Sequence, residues 1–447
     1  MAPTTMKNDR CGRSSTRMRE STSEQLARGF RWAAIAAVIG IVAGLGAVAL
    51  SLLANGAEGL HRQFPWTLWL LPLCGALGAL LYAKLEIPFD MGTVAVIDHQ
   101  RKGTRISAKL APAILLGTAL TLLGGGSVGK EAAALQLGGA AGSGLAVVAD
   151  EGESSQRTFI LCGMAAGFSA LMFTPIAATI FVLEVSRMKA RELLSVRTLC
   201  VPLSSAVAFA VASFFGVGRL WTNDIAVPNL PDQLMETAVL TLLCAFAGIA
   251  FVLLLKLLRT ACVTFLKSPY LRIAIGSALV IALTLFAGTD AYSGTGAQQI
   301  TTALAGGTLP LDAVEWKLAL TVICLSFGFK GGEIMPIFSI GACLGSTFAL
   351  LTGGPVAFMA ALGLVVLFST CTRSPVAATI IGIEAFGWAG APYFLIGAFL
   401  SSLLSRHFSL YDTDNWMLDV AWAQRTDLFG DLIDEEAARQ ANRDRRA

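Results

Sequence analysis

Two glutamates in similar settings are the strongest candidates for chemistry in this 447-residue sequence. Glu131 ends the glycine-rich segment 124–131, and Glu333 follows Gly331 and Gly332. A long uncharged run follows each of them, so we expect each glutamate at the amino terminus of a helix inside an apolar region. Such a terminus presents unpaired N–H groups and the positive end of the helix dipole, which attract an anion or a carboxylate in its place. An ionisable side chain at that depth indicates a proton or ion pathway.

The two glutamates belong to an internal repeat. The segment 175–184 (PIAATIFVLE) recurs as 375–384 (PVAATIIGIE) with six of ten positions identical, and 129–131 (GKE) recurs as 331–333 (GGE). Both pairs lie about 200 residues apart in the same order, which predicts a duplicated unit. The Ala-Ala-Thr patches favour close helix contact. We expect Glu184 and Glu384, at the ends of their runs, to reach water.

The composition places these elements in a membrane. Charged residues make up 14% of the chain, against roughly 25% in a soluble domain; hydrophobic residues make up 55%, and the mean hydropathy is +0.67. A helix needs about 20 apolar residues to cross a bilayer. Uncharged runs lie at 32–57, 63–83, 110–129, 132–149, 158–183, 198–218, 237–255, 334–372 and 385–405, with a shorter one at 273–289. They lack the alternation of barrel strands, so we predict an all-α polytopic membrane protein.

The basic residues are interpreted as a topology signal, because such residues favour the cytoplasmic side of short loops. Seven lie among the first 31 residues, and further clusters lie at 101–109 and 187–197. We expect both termini to be cytoplasmic and predict no nucleic-acid partner. The nine cysteines show no C-x-x-C spacing and the three histidines no metal-ligand spacing, so neither metal nor cofactor is predicted.

These segments together resemble the CLC family of chloride channels and anion/proton antiporters, from about residue 30 to Tyr411. The segment 129–139 (GKEAAALQLGG) is similar to the family's G-[KR]-E-G-P segment, with Ala132 and Ala133 in place of Gly-Pro. This likeness implies that Glu131 is the gating glutamate. The segment 163–184 is similar to the helix pair that follows in the family, and 409–411 (SLY) resembles its P-L-Y, which implies that Tyr411 is the central tyrosine.

Three departures from the chloride-handling pattern resemble the fluoride-exporting branch of the family. The segment 89–93 (FDMGT) stands where chloride-handling members have G-S-G-I-P, so Met91 replaces a serine and offers no hydroxyl donor. The segment 331–336 (GGEIMP) stands for G-G-I-F-x-P and adds Glu333 as a second acid. Val185 stands where antiporters of the family often have an internal proton glutamate.

The resemblance implies a fold of two related, inverted halves whose broken helices meet at a mid-membrane anion site. It implies that Glu131 and Glu333 couple and gate proton movement. The implied anion-binding residues are Met91, Gly92, Lys130, Ile334, Met335 and Tyr411. It further implies a homodimer in the lipid bilayer of the cell membrane that exports fluoride in exchange for protons.

Domain boundaries and alternatives complete the predictions. We expect a basic tail at 1–29, a first membrane repeat at 30–216, a connector at 217–236, a second repeat at 237–411 and a second tail at 412–447. A chloride/proton exchanger or a passive chloride channel of the same fold remains open, with Met91 and Glu333 as tolerated variants. An enzyme is not expected, since the apolar runs carry no paired-Asp, zinc or Ser–His motif.

Overall fold

A computed structural model describes residues 22–149, 153–188, 195, 198–218, 225–228 and 230–412. The predicted tails, the basic loop at 187–197 and the connector at 217–236 lie partly or largely outside these residues. The α-helices within them are α1 Thr22–Gln63, α2 Leu71–Lys84, α3 Thr93–Lys102, α4 Leu110–Leu123, α5 Glu131–Val148, α6 Glu153–Met172, α7 Pro175–Val185, α8 Cys200–Phe214, α9 Leu230–Phe265, α10 Pro269–Ala287, α11 Ala297–Leu304, α12 Ala313–Phe327, α13 Ile334–Thr352, α14 Val356–Thr372, α15 Pro375–Phe386 and α16 Ala391–Leu404. The described residues contain no β-sheet, and the all-helical prediction is confirmed.

Two uncharged runs are each divided between two helices, and the second helix of each pair, α7 with 11 residues and α14 with 17, is shorter than a full span. The run 158–183 breaks between α6 and α7, where Pro175 occupies the first turn of α7 and suits a helix start. The run 334–372 breaks between α13 and α14, where Gly353 ends α13 with a φ of 75°. Within the described residues, five helical segments are long and apolar enough to span a membrane: 29–63, 65–84, 233–265, 269–287 and 334–352. The segment 65–84 joins a 3-10 helix, Pro65–Leu70, to α2. The structure thus combines full spans with the broken helices that the family resemblance implied.

The α-helices of the described part of the chain form two series of eight with matching lengths. The first members, α1 and α9, have 42 and 36 residues; the fifth members, α5 and α13, have 18 and 19; the seventh, α7 and α15, have 11 and 12. This order confirms that the chain is built from two related halves. Helix α1 begins inside the predicted tail 1–29, and α9 begins inside the predicted connector 217–236.

The seventh helices of the two halves cap each other. The carboxylate of Glu184 accepts N–H bonds from Val376 (3.2 Å) and Ala377 (2.8 Å), and that of Glu384 accepts them from Ile176 (3.2 Å) and Ala177 (2.7 Å). Both glutamates are half-buried, and their role as helix caps was not foreseen in the expectation that they reach water. The first N–H groups of a helix have no partner within it, and the acid at the end of the opposite helix satisfies them.

Helices α5 and α6 meet backbone to backbone, which fixes where α5 begins. A Cβ on Gly138 would lie 2.0 Å from the carbonyl oxygen of Gly163, and a Cβ on Gly163 would lie 2.0 Å from that of Gly138. Gly142 and Gly167 meet the facing backbone at 2.1 Å in the same way. Small residues allow this approach between membrane helices. Helix α5, which begins with Glu131, is therefore held in close backbone contact with α6.

Candidate functional site

The two glycine-rich turns meet at the centre of the site. The N–H of Gly129 donates to the oxygen of Gly332 at 2.6 Å, and the N–H of Gly332 donates to the oxygen of Gly129 at 2.7 Å. A Cβ on Gly332 would lie 2.5 Å from the Cβ of Ala132, so this approach requires glycine. The bridge brings together the amino termini of α5 and α13. Glu131 is the first residue of α5 and Glu333 is the N-cap residue of α13, and both are buried.

Glu131 lies beside Lys130, whose ammonium group turns toward α1. The Glu131 carboxylate accepts the backbone N–H of Lys130 at 3.1 Å. The ammonium of Lys130 donates to Asn55 at 2.7 Å and to Ser51 at 3.2 Å, one turn apart on α1. This ammonium adds positive charge near Glu131, and its anion-binding role stays a prediction.

Glu333 accepts two hydroxyl donors. The hydroxyl of Tyr411 donates to its Oε1 at 2.7 Å, and that of Thr93 donates to its Oε2 at 3.2 Å. The amide of Gln136 in turn donates to the hydroxyl oxygen of Thr93 at 3.0 Å. All four side chains are buried. The line of bonds joins α3, α5, α13 and the segment after α16.

A cavity of about 290 Å³ opens beside this line of bonds. Of the predicted residues, Met91, Gly92 and Glu333 line it. The others do not: Lys130, Glu131, Ile334, Met335 and Tyr411. Ile334 and Met335 lie fully buried in the first turn of α13, and Met335 packs against Gly129. The cavity also receives the polar side chains of Thr93 and Gln136. The sequence predictions missed these two, although both fall within segments compared with the family.

Basic and acidic side chains line the rest of the cavity. The basic ones are Lys256, Arg259 and Lys330, and the acidic ones besides Glu333 are Asp90 and Asp412, which pair with Arg272 and Arg373. The ammonium of Lys330 lies 4.1 Å from the ring centre of Tyr82 and 3.9 Å from that of Phe89, and it donates to the carbonyl oxygen of Phe89 at 2.5 Å. Cations held beside a low-dielectric cavity concentrate anions there. The cavity is therefore suited to collecting an anion next to Glu333.

The segment 409–412 holds Tyr411 in place. The N–H of Leu410 donates to the carbonyl oxygen of Cys371 at 2.9 Å at the end of α14. The carboxylate of Asp412 pairs with Arg187 and, at 2.7 Å, with Arg373. The ring of Tyr411 packs edge-on against Phe181 of α7, with centroids 6.1 Å apart. These contacts fix the direction of the Tyr411 hydroxyl toward Glu333.

The site combines two features that the exchange of an anion for a proton requires. Glu131 and Glu333 are buried acids within reach of opposite ends of one glycine bridge, and a basic cavity leads to one of them. A carboxylate can hold a proton or stand in the place of an anion at a helix terminus. No group of three or more His, Cys, Asp or Glu side chains in the described part of the chain could hold a metal ion.

This chain is similar in sequence to known membrane anion transport proteins. The family described as voltage gated chloride channel matches residues 90–406. A chloride/fluoride channel protein of Pseudomonas syringae pv. tomato is 32% identical over 402 residues, covering 85% of each chain. An H(+)/Cl(-) exchange transporter ClcA of Cronobacter sakazakii is 24% identical and covers 78% of this chain and 81% of its own.

Solved structures extend the likeness to the fold. A crystal structure of a CLC-type fluoride/proton antiporter matches with a TM-score of 0.79 and 29% identity, covering 88% of this chain and 98% of its own. A slow cyanobacterial Cl⁻/H⁺ antiporter shares the fold with a TM-score of 0.73 at 18% identity, covering 84% of this chain and 94% of its own. The chain therefore belongs to the voltage gated chloride channel family, the CLC family of membrane anion transport proteins.

Proposed function

We propose that this protein is a fluoride/proton antiporter that exports cytoplasmic fluoride in exchange for protons. The observation that carries the proposal is the buried Glu333, held by Tyr411 and placed across the glycine bridge from Glu131. The relative at 32% identity is a chloride/fluoride channel protein, and the similar solved structure at 29% identity is a fluoride/proton antiporter. Both support fluoride as the transported ion.

In this proposal Glu131 carries the proton and Glu333 governs the anion. Glu131 takes a proton from the outside, moves between the anion position and the pore, and releases the proton inward. Glu333 lines the basic cavity, so its charge faces the anion that arrives there. Loss of either carboxylate is expected to break the exchange.

We further infer that the protein is a homodimer in the cell membrane, with both termini and the basic cavity on the cytoplasmic side. The excess of basic residues in the first 31 residues and in the loop 101–109 supports this orientation. The protein is then an ion transporter and not an enzyme.

Reconstitution in liposomes tests the proposal. We expect fluoride efflux, recorded with an ion electrode, to exceed chloride efflux and to be accompanied by proton uptake. Glu131→Gln removes the proton carrier at similar size and is expected to abolish the coupled exchange. Proton-coupled chloride efflux equal to or above fluoride efflux would support the chloride/proton exchanger instead, and fluoride efflux without proton uptake would support a channel.

A further inference from the structure

A second cavity, of about 180 Å³, lies at the carboxyl end of α1 and shares no lining residue with the cavity beside Glu333. Three ionisable side chains of α1 line it, Glu58, His61 and Arg62, together with Asp290 and Ser293 from the segment after α10. Helix α1 carries a single apolar span, 29–63, so its two ends lie on opposite sides of the membrane. In the proposed orientation this second cavity is therefore on the outer side.

Two buried polar atoms at the second cavity have no hydrogen-bond partner in the described residues. They are Nε2 of His61 and the hydroxyl oxygen of Ser293, whose residues are only 2% and 8% exposed. The other ring nitrogen of His61, Nδ1, lies 2.7 Å from the hydroxyl oxygen of Thr67. Buried polar groups normally bond to protein or to water, and a polar cavity of this size has room for water. The second cavity is thus suited to water that bonds to these atoms.

Glu58 places a fixed carboxylate in the wall of the second cavity. It accepts a bond from Arg62 at 2.7 Å and from the hydroxyl of Thr295 at 3.0 Å. A Cβ on Gly294 would lie 2.7 Å from its Oε1, so the glycine leaves the space that this carboxylate needs. The carboxylate is therefore held in one position.

Asp290 lies at the mouth of the second cavity, where it is only partly buried. The segment that carries Asp290 is held from below by the fully buried Lys317 of α12. The ammonium of Lys317 donates to the carbonyl oxygens of Tyr292 at 3.0 Å and Gly294 at 2.7 Å. The mouth thus presents an acid to the outer solution on a well-supported turn.

The second cavity adjoins the segment that ends in Glu131. A Cβ on Gly125, in the glycine-rich segment 124–131, would lie 2.4 Å from Cε1 and 2.6 Å from Nε2 of His61. The imidazole ring therefore lies between the cavity and this segment. On α1, Glu58 follows Asn55, which accepts the ammonium of Lys130, and the charges of Glu58 and Glu131 are close enough to interact.

We propose that Asp290, His61 and Glu58 form an external proton-loading site for Glu131. Asp290 takes a proton from the outer solution, and water in the second cavity passes it to the imidazole of His61. The protonated imidazole releases it, again through water, to the carboxylate of Glu131. Each group is then ready to accept the next proton. This role rests on the proposed function, in which Glu131 takes its proton from the outside.

The charges around His61 favour the arrival of a proton. The charged groups that face it are Glu58 and Arg62 on α1 and Asp290 after α10. Arg62 is paired with Glu58, so the charge of Asp290 is not offset by that pair. A cleft lined by excess charge of one sign raises the local concentration of the opposite ion.

The variants Asp290→Asn and His61→Gln test the assignment, because each keeps a polar side chain of similar size and removes a proton-accepting group. Fluoride efflux and proton uptake are recorded in liposomes, with the leak of protein-free liposomes subtracted. The pH is set equal on both sides, so that either orientation of the protein in the liposome reports the same dependence.

We expect both variants to slow coupled efflux roughly tenfold at about pH 8, where protons are scarce and a collecting site matters most. At about pH 5.5 both should come within about twofold of wild type, because Glu131 then takes protons directly from the solution. The double variant should be no slower than the slower single variant, since the two groups act in series. The matched control is Glu315→Gln, an exposed acid of α12 that does not line the second cavity, and it should keep the wild-type pH profile.

Three results would overturn the assignment: a wild-type pH profile in both Asp290→Asn and His61→Gln, equal slowing at both pH values, or the same change of profile in Glu315→Gln. Equal slowing together with a lower unfolding temperature would show a purely structural role. If wild-type protein exchanges fluoride for protons and one of these results is found, the loading site is wrong and the proposed function stands. If the wild-type protein moves no protons, the proposed function fails first, and the loading site fails with it.

Discussion

Replacing Gly138 by alanine should force α5 and α6 apart. The new Cβ would lie 2.0 Å from the carbonyl oxygen of Gly163, whereas ordinary contacts begin at 3.4 Å. The clashing atom belongs to the backbone, so no flexible side chain can move away. Overpacking of this kind costs typically about 1–3 kcal/mol, and we place Gly138→Ala at the upper end. The higher helix propensity of alanine offsets up to about 1 kcal/mol, which leaves a net loss of about 2 kcal/mol.

The matched control is Gly78→Ala in α2, where a Cβ would meet no atom within 4 Å. This variant gains the helix propensity without the clash and should be up to about 1 kcal/mol more stable than wild type. The two variants are compared by thermal unfolding in one detergent, together with fluoride efflux. Gly138→Ala should unfold at the lower temperature and transport less, because α5 begins with Glu131. If Gly138→Ala unfolds at or above the temperature of Gly78→Ala, the backbone contact between α5 and α6 does not stabilise the fold as argued.

Two further perturbations address contacts that hold the segment after α16 and the amino termini of α7 and α15. Asp412→Asn removes the charge that pairs with Arg187 and Arg373, so the segment that holds Tyr411 should loosen. Fluoride efflux, recorded with an ion electrode, should then fall. If Asp412→Asn lowers efflux by the same fraction in a Tyr411→Phe background, the effect does not act through the Tyr411 hydroxyl. Glu184→Gln and Glu384→Gln should each lower the free energy of unfolding by about 1–2 kcal/mol in denaturation experiments, because each replaces a charged N-terminal cap by a neutral one. The two losses should be alike, and a large difference between them would show that the caps are not equivalent.

The sequence predicts the helix class and the repeat because both depend on local patterns. The uncharged runs indicate which segments lie in lipid, and the glycine-glutamate turns indicate where helices begin. The break before α7 has only a local trace, Pro175, inside an uninterrupted uncharged run. That run alone therefore predicted one helix where the structure has two.

Contacts between distant residues could not be predicted in this way. Thr93 lies 240 residues from Glu333, and Glu184 lies 193 residues from Ala377, the residue whose N–H it accepts. Local patterns, such as charge, hydropathy and turn residues, contain no information on which distant donor meets which acid. For Glu184 and Glu384, position at the end of an apolar run suggested water, whereas the opposite helix supplied a better partner.

The repeated glutamates differ in the kind of donor that holds them, and under the proposed function this difference distinguishes structural acids from a transport acid. Glu184 and Glu384 each accept two backbone N–H groups, which the helices fix in direction and which no conformational change of a side chain can withdraw. Glu333 is held by the hydroxyls of Tyr411 and Thr93, which can turn and serve another acceptor. An acid that an anion must replace needs such hydroxyl partners, because they can rotate and donate to the anion. The contacts therefore assign the helix caps to the fold, and under the proposed function they allow Glu333 to exchange its place with the transported ion.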